Sequence, residues 1–172
     1  MRRRNISPTA FTAIELLVVL LILVLLATIS LTSFAGRNRQ SQLAAEARKI
    51  QRLLDTARSY ALSENGHFQA VIWLDRPSYW IDEIDSSGTV TRPKIVTPEP
   101  VDEGVQITDI LVNSDVYRSG IVAIRFFPQG NSNDATIHLV SRGASTSAAK
   151  SSHTVKLYGP TGRSDIFDNL QP

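Results

Sequence analysis

The sequence contains no cysteine, one methionine and only three histidines among its 172 residues. Without cysteine the chain cannot form a disulfide bond or supply a thiolate nucleophile, and a zinc site would depend on histidine and carboxylate ligands alone. The histidines, His67, His138 and His153, are far apart and match no spaced metal motif. The sequence therefore predicts neither a metal centre nor a bound cofactor.

Recognisable catalytic motifs are also missing. There is no Gly-x-Ser-x-Gly nucleophile turn, no phosphate-binding Gly-Lys-Ser/Thr loop and no His-Glu-x-x-His zinc motif. Three acids, Asp82, Glu83 and Asp85, lie close together before a Ser-Ser-Gly turn, but they do not follow the spacing of a calcium-binding EF-hand loop. We therefore expect a protein that is not an enzyme.

One long stretch of the chain lacks charge altogether, the 21 residues from Leu16 to Gly36. A helix rises about 1.5 Å per residue, so these residues span roughly 30 Å, the thickness of the hydrocarbon layer of a membrane. The preceding leader, 1–10, contains three arginines and no acid, and positive charge keeps such a flank in the cytoplasm. We expect a transmembrane helix over 11–36 in the cytoplasmic membrane, with the leader on the cytoplasmic side and the rest of the chain periplasmic or external. The arginines that set this topology are Arg2, Arg3 and Arg4.

A specific motif surrounds the single acid at the start of the apolar region. After the basic leader come Ala10, Phe11, a threonine and, as the fifth residue after Ala10, Glu15, followed by Leu-Leu-Val-Val-Leu. This pattern resembles the signal of type IV prepilins and type II secretion pseudopilins. The resemblance implies that a prepilin peptidase cuts between Ala10 and Phe11, and that the new Phe11 amine is methylated. Ala10 departs from the glycine that is usual in the family, and this departure predicts slower or incomplete processing.

The resemblance also implies that Glu15 pairs with the Phe11 amine of a neighbouring subunit when the helix enters a filament. Physical chemistry agrees, because an acid at mid-bilayer costs ~2.5–3.5 kcal/mol and is expected to have a specific partner. An amine on Phe11 lies one helical turn from Glu15, and pairing removes the desolvation cost of both groups. The alternative interpretation is that Glu15 only reaches the membrane surface and stays in water.

An ordinary secretory signal peptide is a competing interpretation of the same region. It would use the same arginines, an apolar core and Ser33-Phe34-Ala35 as a cleavage site, releasing a secreted globular protein that begins at Gly36. Against it, the apolar region continues through Phe34, and the acid Glu15 lies where such signals are positive.

The charge balance bears on nucleic-acid binding. The net charge is +2 for the whole chain, but the residues after Gly36 carry 15 basic and 15 acidic side chains. The external part therefore has no general attraction for polyanions. The alternative function, a DNA-binding minor pilin of an uptake filament, would require a local basic patch on one face. The residues that would have to form it are Arg118, Arg142, Lys150 and Arg163.

The helix is expected to continue beyond the apolar region. Apolar residues recur at alternating spacings of three and four, which predicts an amphipathic helix over 37–63 that packs on the following domain. Asn65 and Gly66 both accept the left-handed backbone conformation that ends helices. The predicted seam consists of Leu43, Ala47, Ile50, Leu54, Ala57 and Ala61.

Residues 67–172 are predicted to form an antiparallel β domain. Short apolar runs bounded by Gly, Pro, Asn or Asp are typical of such sheets. Two polar stretches, 90–103 and 143–152, are predicted to be loops because they are rich in proline or in small residues. The six predicted strands are 68–74, 78–84, 105–110, 121–127, 136–140 and 154–158.

Two further segments extend the resemblance over most of the chain. An apolar strand before Phe126-Phe127-Pro128-Gln129-Gly130, and a last strand that ends in Thr161-Gly162-Arg163, resemble the C-terminal half of GspH/FimT-type minor pseudopilins. The implied fold is α+β and pilin-like, with one long N-terminal helix packed on an antiparallel sheet. The implied function is a structural subunit of a type II secretion pseudopilus or type IV pilus. Its implied partners are other pilins, the prepilin peptidase, the inner-membrane assembly platform and the membrane itself.

Overall fold

The computed structural model of the protein describes residues 13–142 and 152–168, without the side chains of 26–39. This part of the chain contains helix α1 and nine strands, and it divides into a unit that ends at Asn38 and a unit that begins at Arg39. The elements are α1 (Ala13–Ser63), β1 (His67–Trp73), β2 (Ser78–Ile84), β3 (Val90–Pro100), β4 (Val105–Val112), β5 (Asp115–Tyr117), β6 (Ile121–Phe126), β7 (Ala135–Ser141), β8 (Ser152–Tyr158) and β9 (Arg163–Asp168).

The strands form two antiparallel sheets. Sheet A has the order β3-β2-β1-β6, and sheet B has the order β5-β4-β7-β8-β9. Each neighbouring pair of strands within them is antiparallel. The predicted α+β class and antiparallel arrangement are therefore confirmed, with the β domain built as two sheets.

The C-terminal part of α1, from Arg39 on, packs against both sheets. Its buried face and the inner faces of the sheets form one hydrophobic cluster, which includes Phe68 and Phe126 of sheet A and Leu157 of sheet B. The predicted seam is confirmed, since each of its six members is 0% exposed: Leu43, Ala47, Ile50, Leu54, Ala57 and Ala61.

The end of α1 follows the expected capping chemistry. The helix ends at Ser63, and Asn65 adopts the left-handed conformation with φ of 49°. The Gly66 amide then donates to the carbonyl of Ala61 at 3.2 Å. This closure directs the chain into β1 immediately after the helix.

The predicted loop over 90–103 is wrong for most of its length, because Val90–Pro100 forms strand β3. Three prolines suggested a loop, since proline has no N–H for a sheet ladder. However, β3 is an edge strand that pairs only with β2, with shifts of register along the pair. An edge strand needs hydrogen bonds on one side only, so it tolerates proline.

Besides β3, two strands were not predicted, β5 and β9. β5 has three residues, and β9 begins at Arg163, so the Thr161-Gly162-Arg163 segment leads into a strand rather than ending the last one. Both are edge strands with polar residues, so their sequences lack the apolar alternation that marks a half-buried strand. The six predicted strands are present with ends within two residues of those expected. Of the second predicted loop, 143–151 lies outside the described residues and Ser152 begins β8.

Candidate functional site

The start of α1 exposes an unusual amount of apolar surface. Each large hydrophobic residue from Ile14 to Leu25 is between 47% and 72% exposed. A helix that is apolar on every side is normally buried in a protein core or in a membrane. This segment is therefore the first candidate interaction surface of the chain.

Glu15 lies in the first turn of α1 and is exposed. The acid thus stands at the N-terminal end of the apolar segment, where the partial positive charge of the helix N-terminus favours a carboxylate. Ala10 and Phe11, between which processing is predicted, lie outside the described residues. So do Arg2, Arg3 and Arg4, so the pairing of Glu15 with a Phe11 amine stays a prediction.

In the described part of the chain, no helical segment has both the length and the mean hydropathy of a membrane span. The predicted span, 11–36, includes residues and side chains that lie outside this description.

A buried acid on the second part of α1 was not singled out in the sequence. Glu46 is 1% exposed, and its carboxylate accepts a hydrogen bond from the Tyr79 hydroxyl at 3.3 Å. Lys49, one turn further along α1, approaches Glu46 at 3.5 Å and Glu99 of β3 at 3.0 Å. These four side chains tie α1 to sheet A at the edge formed by β3. In the sequence, Glu46 looks like one more charge on the exposed side of an amphipathic helix.

Burial raises the pKa of Glu46 above its ordinary value, although the neighbouring Lys49 acts in the opposite direction. The pKa of Tyr79 is also raised, first by burial and then by Glu46, so the phenol stays protonated as a donor. The hydrogen bond to Glu99 raises the pKa of Lys49. Near neutral pH the cluster therefore has a permanent cation and a buried acid that binds its proton more tightly than in water.

The Glu46 cluster predicts how stability changes with pH. A carboxyl whose pKa is raised in the folded state stabilises the fold below its unfolded pKa of about 4.5, and this contribution is lost as pH rises through the folded pKa. Glu46→Gln should remove this loss. The free energy of unfolding of the variant should therefore increase relative to that of the unsubstituted chain as pH rises above 4.5. The gain in free energy of unfolding is about 1.4 kcal/mol for every tenfold by which folding tightens proton binding to Glu46. Urea unfolding at a series of pH values measures it.

The control for this experiment is Glu103→Gln, which makes the same change on an exposed side chain. If the free energies of unfolding of Glu46→Gln and of the unsubstituted chain differed by the same amount at every pH, the raised pKa of Glu46 would be contradicted.

The two C-terminal sequence motifs meet at one place on α1. Gly130, with φ of 82°, ends the Phe-Pro-Gln-Gly turn, and its carbonyl accepts a hydrogen bond from Arg58 Nε at 3.0 Å. Gly162, with φ of 59°, lies against the same carbonyl, and a side-chain carbon at this position would collide with it. Close approach of the two turns therefore requires glycine at 162. The two C-terminal motifs thus form a structural junction on α1.

Three of the four residues proposed for a basic patch lie in the described part of the chain, at different places on sheet B. Arg142 follows β7 at one end of sheet B, whereas Arg163 begins β9 at the other end, beside Tyr158. Arg118 follows β5, the opposite edge strand of that sheet. All three are exposed, but the strand register separates them. Lys150 lies outside the described residues.

The histidines have structural partners. His138 Nδ1 lies 2.8 Å from the Asp109 carboxylate across the β4–β7 pair, and buried His153 lies 3.5 Å from Asp168. His67 packs edge-on against the Phe127 ring. Within residues 13–142 and 152–168, no three histidine or acidic side chains are grouped as a metal site would require.

The acids near the β2–β3 turn are also used within the fold. The Asp85 carboxylate accepts hydrogen bonds from the Ser87 hydroxyl and the Thr89 amide, which lower its pKa and close the turn. Glu83 pairs with Arg92 at 2.9 Å. Asp85 therefore stabilises the turn, and Glu83 forms an ion pair across the β2–β3 strand pair.

Solved structures with the same fold are found among pilin-like proteins. Two structures of the minor pseudopilin EpsH from the type II secretion system of Vibrio cholerae match with TM-scores of 0.58 and 0.56, both at 12% identity. The first match covers 77% of this chain and 98% of that chain, and the second covers 74% and 97%. The type IV minor pilin FimU of Pseudomonas aeruginosa matches with a TM-score of 0.48 at 17% identity, covering 81% and 92%.

Comparison with curated protein sequences gives no significant match. A family model, described as type II transport protein GspH, matches residues 46–159. The matched segment begins at the buried Glu46, includes both sheets except β9, and reaches the glycine turn that packs on α1. Because this is well over half of the sequence, the chain belongs to the GspH family of type II transport proteins.

Proposed function

We propose that the protein is a minor pseudopilin, a structural subunit of a type II secretion pseudopilus or type IV pilus. The observation that carries the proposal is the start of α1, where exposed apolar side chains follow Glu15 in the first turn. Family membership supports a structural rather than a catalytic role. The fold shared with a minor pseudopilin of a secretion system supports the same assignment.

In this proposal, 1–10 is a cytoplasmic leader and 11–36 anchors the chain in the cytoplasmic membrane. The amphipathic part, 37–63, and the β domain, 67–172, lie on the periplasmic or external side. Prepilin peptidase removes the leader, and the Phe11 amine is methylated. The apolar helix then leaves the membrane for the filament core, where it packs against the helices of other pilins at the assembly platform.

The native N-terminus tests the proposal. Mass spectrometry of the full chain isolated from its own cells should find a mature protein that begins with methylated Phe11. A start at Gly36 would instead identify a secreted protein released by ordinary signal cleavage, and would overturn the proposal. Ala10→Gly is the matched variant, because it restores the usual residue before the cut. It should increase the processed fraction if Ala10 slows the peptidase.

A further inference from the structure

The only two tryptophans of the chain share the face of sheet A that points away from α1. In β1 and β2 the core residues alternate with Trp73 and Trp80, and both indoles are partly exposed. Val71, directly opposite Trp80, is 2% exposed although it does not belong to the core cluster. Ile121, opposite Trp73 on β6, is 59% exposed. We call these four residues the tryptophan face.

Three cations border the tryptophan face. The Arg76 guanidinium lies 5.3 Å from the centre of the Trp73 ring, and Lys94 Nζ lies 5.8 Å from the centre of the Trp80 ring. Arg125, on β6 of the same face, has its guanidinium against Gly88. In the described part of the chain none of the three has an acidic side chain within ion-pair distance.

Lys94 adopts a strained backbone conformation. Lys94 has φ of 51°, a conformation that non-glycine residues adopt rarely and at a cost of order 1–3 kcal/mol. The Asp82 carboxylate, which is 6% exposed, accepts the Lys94 amide at 2.6 Å and also a hydrogen bond from Gln69 at 3.3 Å. A buried acid thus holds the strained residue whose ammonium lies over Trp80. Strain that is held in this way concentrates where a fold presents a group to a ligand.

The arrangement selects among anionic ligands. Nucleic-acid bases bind by stacking on open aromatic faces, but Arg76 and Lys94 already occupy positions over the two rings. A carboxylate can pair with Arg76 or Lys94 from the solvent side without displacing the cation from its tryptophan ring. Tryptophan and arginine are also the residues that contribute most to protein interfaces. We propose that the tryptophan face binds an acidic segment of a partner protein, whose carboxylates pair with Arg76 and Lys94 while its apolar side chains pack on the exposed Ile121.

Tryptophan fluorescence can test this proposal. The full chain in uncharged detergent is titrated with a synthetic, tryptophan-free peptide of alternating glutamate and leucine, and the fluorescence of the protein is recorded. Because both tryptophans belong to the face, binding should shift the emission. A matching peptide with glutamine in place of glutamate should not. Arg76→Gln with Lys94→Gln should weaken binding about tenfold, the value of two exposed ion pairs, and added salt should weaken it as well.

The matched control is Arg142→Gln with Arg163→Gln, which removes the same charge at exposed positions at the two ends of sheet B. This variant should bind like the unsubstituted chain. The proposal is overturned if the acidic peptide gives no shift, or if both double variants lose binding equally. Tighter binding of a single-stranded oligothymidylate than of the acidic peptide would also overturn it and assign the face to nucleic acid. The result does not depend on whether the protein joins a filament.

Discussion

Leu54→Ala should lower the free energy of unfolding of residues 37–172 by about 2–5 kcal/mol. Leu54 is 0% exposed in the middle of the α1 seam, between the inner faces of the two sheets. Removing its branched carbons takes away the transfer free energy of the side chain and leaves a cavity that the close-packed neighbours fill only in part. Ile50→Ala should have an effect in the same range. Equilibrium denaturation of the purified domain measures both.

The chain offers a matched control on the same helix. Leu62, two turns beyond Leu54, is 47% exposed, so Leu62→Ala removes the same atoms from a site where solvent fills the space. Its cost should be well below that of Leu54→Ala. A loss of less than about half a kcal/mol for Leu54→Ala would contradict the core position of the seam.

Replacing Glu15 should abolish or strongly reduce incorporation into the filament without lowering the amount of protein in the membrane. In lipid the carboxylate only costs free energy, so Glu15→Ala should insert as well as the unsubstituted chain or better. In the filament the same carboxylate would neutralise the Phe11 amine of a neighbour, and its loss leaves a buried charge unpaired, a penalty of about 3–5 kcal/mol. Cell fractionation and filament isolation separate the two effects.

Two further variants identify the interaction. Glu15→Gln keeps the shape and polarity of the side chain but not its charge, so it should assemble poorly if charge is required. Glu15→Lys should be worse than alanine, because it would repel the amine. Normal assembly of all three variants, with the protein present in the membrane at its usual amount, would refute the role of Glu15.

The sequence predicts the interior of this fold better than its edges. The seam of α1 and the central strands were predicted because burial imposes a period on apolar residues, and the helix end was predicted because Asn65 and Gly66 accept a left-handed backbone. Edge strands such as β3 and β9 bury little and tolerate proline or charge, so they leave no comparable pattern.

The electrostatic features depend on contacts that no local pattern contains. Glu46 becomes a buried acid only because Tyr79 and the chain beyond β3 close over it. Likewise, the cation over Trp80 depends on the pairing of β2 with β3, which brings Lys94 to Asp82. Such groups look like ordinary surface charges in the sequence. The Glu15 motif differs because its members are adjacent along one helix.

Strand β3 also protects sheet A from unwanted association. The open edge of a sheet is a row of unsatisfied donors and acceptors that another polypeptide can extend, and long regular edges promote aggregation. Pro93, Pro98 and Pro100 each remove a donor from this edge, and the left-handed turn at Lys94 interrupts its regular pleat. A foreign strand therefore finds no continuous ladder to join. The same irregularity that makes 90–103 resemble a loop keeps concentrated copies of the domain from pairing through this edge of sheet A.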